Sequence, residues 1–315
     1  MNHLITGAAG FIGSHLTKDL IKKGEFVIGV DNLMLGKEEN LNDVKDHENF
    51  YFLNEDILSD QFISAIDNLN IDIDKIWHLA ASSDIISGSN NYILDHEATF
   101  LTTVKISQLA EEKKIKEIIF SSSGSVYGEK TSPVRETDFC EPISYYGLYK
   151  LASENFLKVN FDRKFSKVII LRFANIVGSN ATHGVIYDFV DKLISNNKIL
   201  NILGNGTQQK PYLHVSELID GMNFVDENIK KDFQVFNIGP NDSGFTVKNI
   251  ALEVSEEMLL KPELVFGKEK RGFSGDVPLI QFDTSKLEAL GWKAKLTSEQ
   301  AVKAAVKEIV KEKTN

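Results

Sequence analysis

The sequence predicts an α/β protein, a doubly wound parallel sheet carrying a smaller, discontinuous α/β lobe toward its C-terminus. Three observations predict it. Apolar strand-like runs alternate with amphipathic helical runs from the first residues onward, the pattern of a parallel sheet covered by helices on both faces. The first strand enters the first helix through a glycine turn, Gly7-Ala8-Ala9-Gly10-Phe11-Ile12-Gly13. Beyond Gly178 the alternation loosens, and Val235-Phe236-Asn237-Ile238 reads as one further strand of the main sheet. The expected division is a larger domain over residues 1–178, rejoined by about 213–240, and a lobe from 179–212 and 241–315.

Taken in order, Leu4 and Ile5 end a short buried strand, and Phe11 begins a helix with Ile12, Leu16, Leu20 and Ile21 on its apolar face. That helix stops at Gly24, and Phe26 to Val30 forms a second strand ending on Asp31. Further strands are expected at Phe50 to Leu53, Lys75 to Leu79, Glu117 to Phe120 and Val168 to Leu171, with helices at Asp95 to Lys114 and Tyr145 to Val159. The looser region offers a helix from Val185 to Ser195, a strand at Leu200 to Leu203 and the polar loop Gly204 to Gln209. Helices at Val247 to Leu259 and Ser298 to Val310 come next, the second with a Thr297-x-x-Gln300 capping box.

Composition narrows the function classes. A formal charge of −10 and only four arginines (Arg135, Arg163, Arg172 and Arg271) argue against nucleic-acid binding. The single cysteine, Cys140, excludes an internal disulfide and a Cys-rich zinc site, and no metal is expected. The first strand starts almost at Met1, leaving no room for a signal peptide, and no apolar run has membrane-spanning length. A cytoplasmic protein with no membrane partner is expected.

The glycine turn carries the first chemical signal. Glycine permits positive φ and close approach of a bulky anion, while the helix start offers unpaired N–H groups at a positive dipole end. A pyrophosphate suits that arrangement. About twenty residues on, the strand-end carboxylate of Asp31 is placed to accept both ribose hydroxyls of an adenosine. It would repel a 2′-phosphate, and no Lys or Arg stands nearer than Lys37, so NAD is expected rather than NADP.

A second signal lies after the 117–120 strand. Ser121-Ser122-Ser123-Gly124-Ser125 should face the same crevice as the glycine turn, because ligands of open α/β sheets bind at the carboxyl ends of the strands. Tyr146 and Lys150 stand four apart on a helix and share a face. An ammonium beside a phenol stabilises the phenolate, so Lys150 is expected to lower the Tyr146 pKa toward working pH, as a general base requires.

These motifs together identify a resemblance. The glycine turn, Asp31, Leu79-Ala80-Ala81, the serine run with Val126-Tyr127-Gly128, and Pro142-x-Ser144-x-Tyr146-Gly147-x-x-Lys150 with Glu154 resemble the extended short-chain dehydrogenase/reductase family. Within it the chain looks like the nucleotide-sugar epimerases and dehydratases, and Leu171-Arg172-Phe173-x-Asn175-x-x-Gly178, Phe236-Asn237-Ile238-Gly239, Gly275-Asp276-Val277 and Leu290-Gly291-Trp292 extend the likeness. The resemblance implies a Rossmann-type NAD-binding domain and a substrate-binding lobe. It makes Tyr146 the base, Lys150 its activator and Ser123 the hydroxyl that bonds the reacting sugar. It places Gly7, Gly10, Phe11, Ile12, Gly13, Asp31, Asn32, Asp56, Ile57, Leu79, Ala80 and Ala81 against the cofactor, and Asn175, Lys210, Tyr212, Arg271 and Asp276 against the substrate. Tyr127, Tyr145 and Tyr149 are read as structural, as are His183 and His214. A homodimer through the 95–114 and 145–159 helices is implied as well.

The two positions after Ser123 indicate the reaction. Dehydrating members of the family usually carry an Asp-Glu pair there, whereas this chain has Gly124 and Ser125. Elimination then lacks its usual acid. Epimerisation at C4 of a nucleotide hexose, through a transient 4-keto sugar, is the expected activity. A 4,6-dehydratase, a 4-dehydrogenase or reductase, and a catalytically silent NAD-binding regulator are the alternatives. Lys210 and Pro211 replace the Arg and Asp usual after the glycine loop, Phe273 replaces a later phosphate-binding Arg, and Thr99 stands where Asn is common.

Overall fold

The computed structural model describes residues 1–314. The first half alternates as its sequence pattern requires, with strands β1 (Asn2–Thr6), β2 (Phe26–Asp31), β3 (Phe50–Asn54), β4 (Lys75–His78) and β5 (Glu117–Ser123). Helices α1 (Phe11–Lys22), α2 (Phe62–Asn68), α3 (Ile85–Asn90), α4 (Tyr92–Asp95) and α5 (Thr102–Glu112) lie between them. Then come α6 (Tyr145–Lys164), β6 (Lys167–Phe173), β7 (Asn175–Val177), α7 (Val185–Ser195) and β8 (Ile199–Ile202). Short strands β9 (Gln209–Lys210) and β10 (Tyr212–His214) lead into α8 (Val215–Asn228) and β11 (Phe233–Ile238). The chain finishes with β12 (Phe245–Thr246), α9 (Val247–Glu257), β13 (Glu263–Phe266), α10 (Ser285–Leu290) and α11 (Ser298–Thr314).

Seven strands form one sheet in the order β11-β6-β5-β4-β1-β2-β3, all neighbours parallel. β11 joins it beside β6, with Phe236 opposite Leu171. The sheet is buried on both faces, which is why its strands read as apolar runs rather than alternations. One face packs Leu16, Leu20, Ile21, Leu218 and Met222, from α1 and α8, against Ile5, Val27 and Trp77. The other packs Phe62, Ile66, Ile106, Leu109 and Leu157, from α2, α5 and α6, against Leu4, Ile28 and Ile118. A separate core, with Phe189, Val190, Leu200, Ile250, Val254, Val302 and Val306, joins α7, α9 and α11. No described helix is long and apolar enough to cross a membrane.

Three details depart from the sequence pattern. The expected 95–114 helix is interrupted: residues His96–Leu101 wind as a π-helix before α5 resumes the α register. The Thr102 and Thr103 hydroxyls there donate to the carbonyl oxygens of Ala98 and Thr99, and the Ser153 hydroxyl of α6 also reaches the Thr99 carbonyl. Side-chain hydroxyls that back-bond into a helix compete with its regular ladder. Second, β8 pairs in parallel with β13, a strand that the local pattern does not announce. Third, α11 folds back across the molecule: Glu308 accepts from the Ser179 amide, Glu312 accepts from that of Asn180, and His214 lies within 3.2 Å of Glu308. The capping box at its start is formed, Thr297 and Gln300 exchanging backbone N–H to side-chain bonds.

Candidate active site

At the carboxyl ends of β1 to β6 a cavity of about 750 Å³ opens. Its first wall is the glycine turn. Gly7 adopts φ +71° and donates to the Val30 carbonyl at 2.8 Å, turning the chain sharply from β1. Gly10 sits at the N-cap of α1 with no side chain capping the helix, and no acidic residue stands in the first turn. Free N–H groups at a helix start form an anion site. A Cβ on Gly13 would lie 1.9 Å from the Gly7 carbonyl oxygen, so only glycine lets the helix approach the turn this closely. Phe11 and Ile12 line the same wall.

Beside the turn, the buried Asp31 carboxylate accepts the amides of Ala9 (3.0 Å) and Leu33 (2.8 Å) and faces the cavity. Burial pushes its pKa up, while the Leu33, Ala9 and Gly10 amides oppose that shift. Asn32 donates to Asp56 at 2.9 Å, and both line the cavity with Ile57. Leu79, Ala80 and Ala81 form the middle of the floor, the first two held by the Thr6 hydroxyl at 3.1 and 3.2 Å. The carboxylate, the helix start and the glycine cradle fit a dinucleotide with two ribose hydroxyls and a pyrophosphate.

Ser123, Tyr146 and Lys150 line the opposite wall. Ser144 caps α6 by accepting the Gly147 amide at 3.1 Å, which fixes where the helix begins. A Cβ on Gly147 would stand 2.6 Å from the Ser125 carbonyl oxygen, so glycine seats the start of α6 directly on the serine run. Lys150 donates to the Ser121 carbonyl at 2.5 Å, and its Nζ lies 5.7 Å from the centre of the Tyr146 ring. The electrostatic balance differs from the one expected from spacing. Burial pushes the Tyr146 phenol up to about 12, partly opposed by the Ser123 hydroxyl and reinforced by Asp95. Burial pushes Lys150 down to about 7, with Glu154 and Asp95 opposing. Desolvation is the largest cause of both shifts and penalises each charged form.

A buried network behind this wall holds α6 in place. Glu154 takes two bonds from Arg172 (Nε at 3.0 Å, Nη2 at 2.6 Å) and one from the Ser122 hydroxyl. Arg172 also donates to the Tyr127 hydroxyl at 2.9 Å, which donates to Asn237 at 2.6 Å. Removing one partner of a buried bidentate pair strands the other charge. Arg172→Met is therefore expected to lower stability by about 3–5 kcal/mol, measured by urea unfolding.

The far end of the cavity is lined by Asn175, Lys210, Tyr212 and Asp276. Lys210 pairs with Asp276 at 2.5 Å, and Asp276 also accepts the Gly272 amide at 2.9 Å. Burial, with Asp276 adding to it, pushes the Tyr212 phenol up. Arg271 departs from the expectation: it does not line the cavity but pairs outside with Glu129 at 2.7 Å, while Phe273 faces in. His183, read as structural, lines the cavity together with Asp188 and Lys192, which sequence reasoning passed over because α7 presents them like any amphipathic helix. His214 is indeed tied down, to Ser216 at 2.7 Å and to Glu308.

The crevice offers a helix start and a glycine cradle for a long anion at one end and a hydroxyl, a phenol and an amine at the other, the layout of a dinucleotide-dependent α/β enzyme. The sequence pattern of the NAD dependent epimerase/dehydratase family matches residues 3–239, three quarters of the chain. The chain belongs to that family, and NAD is its cofactor. A UDP-glucose 4-epimerase from Halalkalibacterium halodurans is 29% identical over 315 residues, covering 94% of this chain and 91% of its own. The crystal structure of the Thermotoga maritima UDP-glucose 4-epimerase with UDP-glucose superposes with a TM-score of 0.87 at 30% identity, covering 99% of both chains. That of the Bacillus cereus UDP-glucuronic acid 4-epimerase with UDP-glucuronic acid and NAD gives 0.87 at 26% identity, covering 99% of this chain and 100% of that one.

Proposed function

We propose that this protein inverts C4 of a nucleotide-linked hexose, with Tyr146 as the base. The observation that carries this reading is the closure of position 124. A Cβ on Gly124 would stand 2.7 Å from the Phe282 ring, so the first of the two positions where an eliminating enzyme keeps its acids is closed by Phe282, and the second carries the hydroxyl of Ser125. Tyr146, Lys150 and Ser123 suffice for the remaining chemistry. Ser123 holds the sugar hydroxyl, Lys150 as ammonium favours the phenolate, and Tyr146 takes the 4-hydroxyl proton and returns it after the keto sugar has presented its other face. NAD, when bound, supplies the acceptor and donor of hydride.

In this reading Gly7, Gly10 and Gly13 cradle the pyrophosphate, Asp31 holds the adenosine ribose, and Asp56 and Ile57 flank the adenine. Asn175 and Lys210 face the substrate diphosphate. Residues 1–178 with about 213–240 serve the cofactor, and 179–212 with 241–315 serve the substrate. A homodimer through the 95–114 and 145–159 segments accords with solvent-facing Leu148 and Val159, which are 45% and 65% exposed. We place the protein in the cytoplasm, consistent with its single cysteine.

The test is proton NMR of the purified protein with UDP-, GDP-, CDP- and dTDP-hexoses and no added reductant. UDP-sugars lead the panel because the T. maritima and B. cereus relatives were solved with them. A C4 isomer formed with no net change in NAD is the expected result. A 4-keto-6-deoxy product would instead make the protein a dehydratase, and no change in any tube would favour a silent NAD-binding regulator.

A further inference from the structure

His78, the last residue of β4, is a buried histidine that the proposed chemistry leaves unused. It directly precedes Leu79, Ala80 and Ala81, the floor of the crevice. It is 0% exposed, as are Thr6, opposite it on β1, and Thr103 of α5. A buried imidazole is costly unless its ring nitrogens find partners. Here both do: Nδ1 lies 2.7 Å from the Thr6 hydroxyl, and Nε2 lies 3.1 Å from that of Thr103.

Counting donors and acceptors fixes the direction of this chain. The Thr6 oxygen already accepts the Leu79 amide at 3.1 Å and the Ala80 amide at 3.2 Å. A hydroxyl has two lone pairs and one proton, so the Thr6 proton goes to Nδ1. The ring proton therefore sits on Nε2 and is donated to Thr103. Thr103 passes its own proton to the Thr99 carbonyl at 2.9 Å, inside the π-helical turn, and stands 3.1 Å from the Ser153 hydroxyl of α6. Burial, with the Lys150 charge adding to it, pushes the ring's pKa down to about 3, so the imidazole stays neutral.

Two further contacts bring this chain to the reacting groups. The backbone carbonyl of His78 accepts the Ser121 hydroxyl at 3.2 Å, and Lys150 Nζ donates to the carbonyl and hydroxyl oxygens of that same Ser121 at 2.5 and 3.3 Å. Ser153 follows Lys150 by one helical turn on α6. One residue thus reaches the crevice floor through Thr6, the seat of Lys150 through its own carbonyl, and α6 through Thr103.

We propose that His78 is a positioning residue which, as its Nε2–H tautomer, fixes α6, with Tyr146 and Lys150, against the Leu79–Ala80 floor. The inference rests on the reading of Tyr146 and Lys150 as the acting pair. Transfer steps depend steeply on how the reacting groups are set, and small displacements caused by distant residues lower rates severely. Loosening α6 from the floor lowers turnover while the floor itself, still held by Thr6, keeps the cofactor.

The test combines histidine NMR with kinetics on the NAD-loaded protein. In 15N-histidine spectra the His78 signal, assigned by its absence in His78→Asn, is expected as the Nε2–H tautomer without titration from about pH 5 to 9. Thr103→Val keeps the side-chain shape and removes the acceptor, and His78→Asn keeps an acceptor near Thr6 but cannot reach Thr103. Each is expected to lower kcat roughly tenfold with KM and NAD affinity little changed, and the double variant to be no slower than either single one. Thr6→Val strands two amides of the floor and is expected to weaken NAD binding roughly tenfold. The Nδ1–H tautomer, or unchanged NAD affinity in folded Thr6→Val, overturns the proposal. So does a Thr103→Val protein that melts earlier yet keeps its kcat, for then the chain only supports the fold. A parent that isomerises no nucleotide sugar removes the proposed function alone, and this inference then stands or falls on the tautomer and the Thr6→Val affinity.

Discussion

Tyr146→Phe is expected to retain NAD and to lose turnover by roughly 10²-fold or more, since general base catalysis contributes on that order. The substitution deletes one hydroxyl and leaves the ring, so the seating of α6 on the serine run survives. Burial pushes that hydroxyl's pKa up to about 12, so the neutral phenol is the form that the free protein holds. It is the charged form that catalysis requires, and the protein alone does not stabilise it at neutral pH. Steady-state kinetics on the isomerised sugar, beside fluorescence titration with NAD, separate the two effects. A near-normal rate would remove Tyr146 from the chemistry.

Gly13→Ala is expected to abolish cofactor binding. The added Cβ would fall 1.9 Å from the Gly7 carbonyl oxygen and 2.8 Å from its carbon, both of them backbone atoms. No rotamer change relieves a clash with main chain, so either the helix withdraws or the turn opens. Both displace the N–H groups at the start of α1 on which an anion depends. Isothermal titration with NAD should show no saturable binding, together with a lowered melting temperature, whereas unaltered affinity would mean that the pyrophosphate is held elsewhere. Gly10 differs: its nearest non-adjacent atom would lie 3.1 Å from an added Cβ, so Gly10→Ala is the milder change.

Local signals carried the main sheet. Strands such as Val168 to Leu171 lie in a fully buried layer, and apolar runs of that length, set between helical periods, leave little choice of partner. The glycine turn and Asp31 were legible because their chemistry depends on backbone conformation and strand position, both local properties. The second lobe was less so. β7 meets β10 across more than thirty residues and β8 meets β13 across more than sixty, and strands of three or four residues carry almost no period of their own. The site divides in the same way. The spacing of Tyr146 and Lys150 is visible in the sequence, but burial, which sets their proton affinities, is not. Arg271 and Lys210 are both cations near a glycine-rich loop, and only the fold shows that the first turns out to Glu129 while the second turns in to Asp276. Asp95 reads from sequence as an ordinary acidic helix start, and nothing local tells that it is buried under Gly88 of α3.

The return of α11 across the molecule imposes an order on how the protein comes to be made. The loop at Ser179 and Asn180, which leads into the cavity wall at Ala181 to Gly184, is fastened by carboxylates more than a hundred residues later, Glu308 and Glu312. The glycine turn and its strands leave the ribosome early and can pair while synthesis continues, but the far wall cannot be pinned until nearly the whole chain has emerged. The glycine-turn side of the crevice can therefore begin to form before the far wall is pinned.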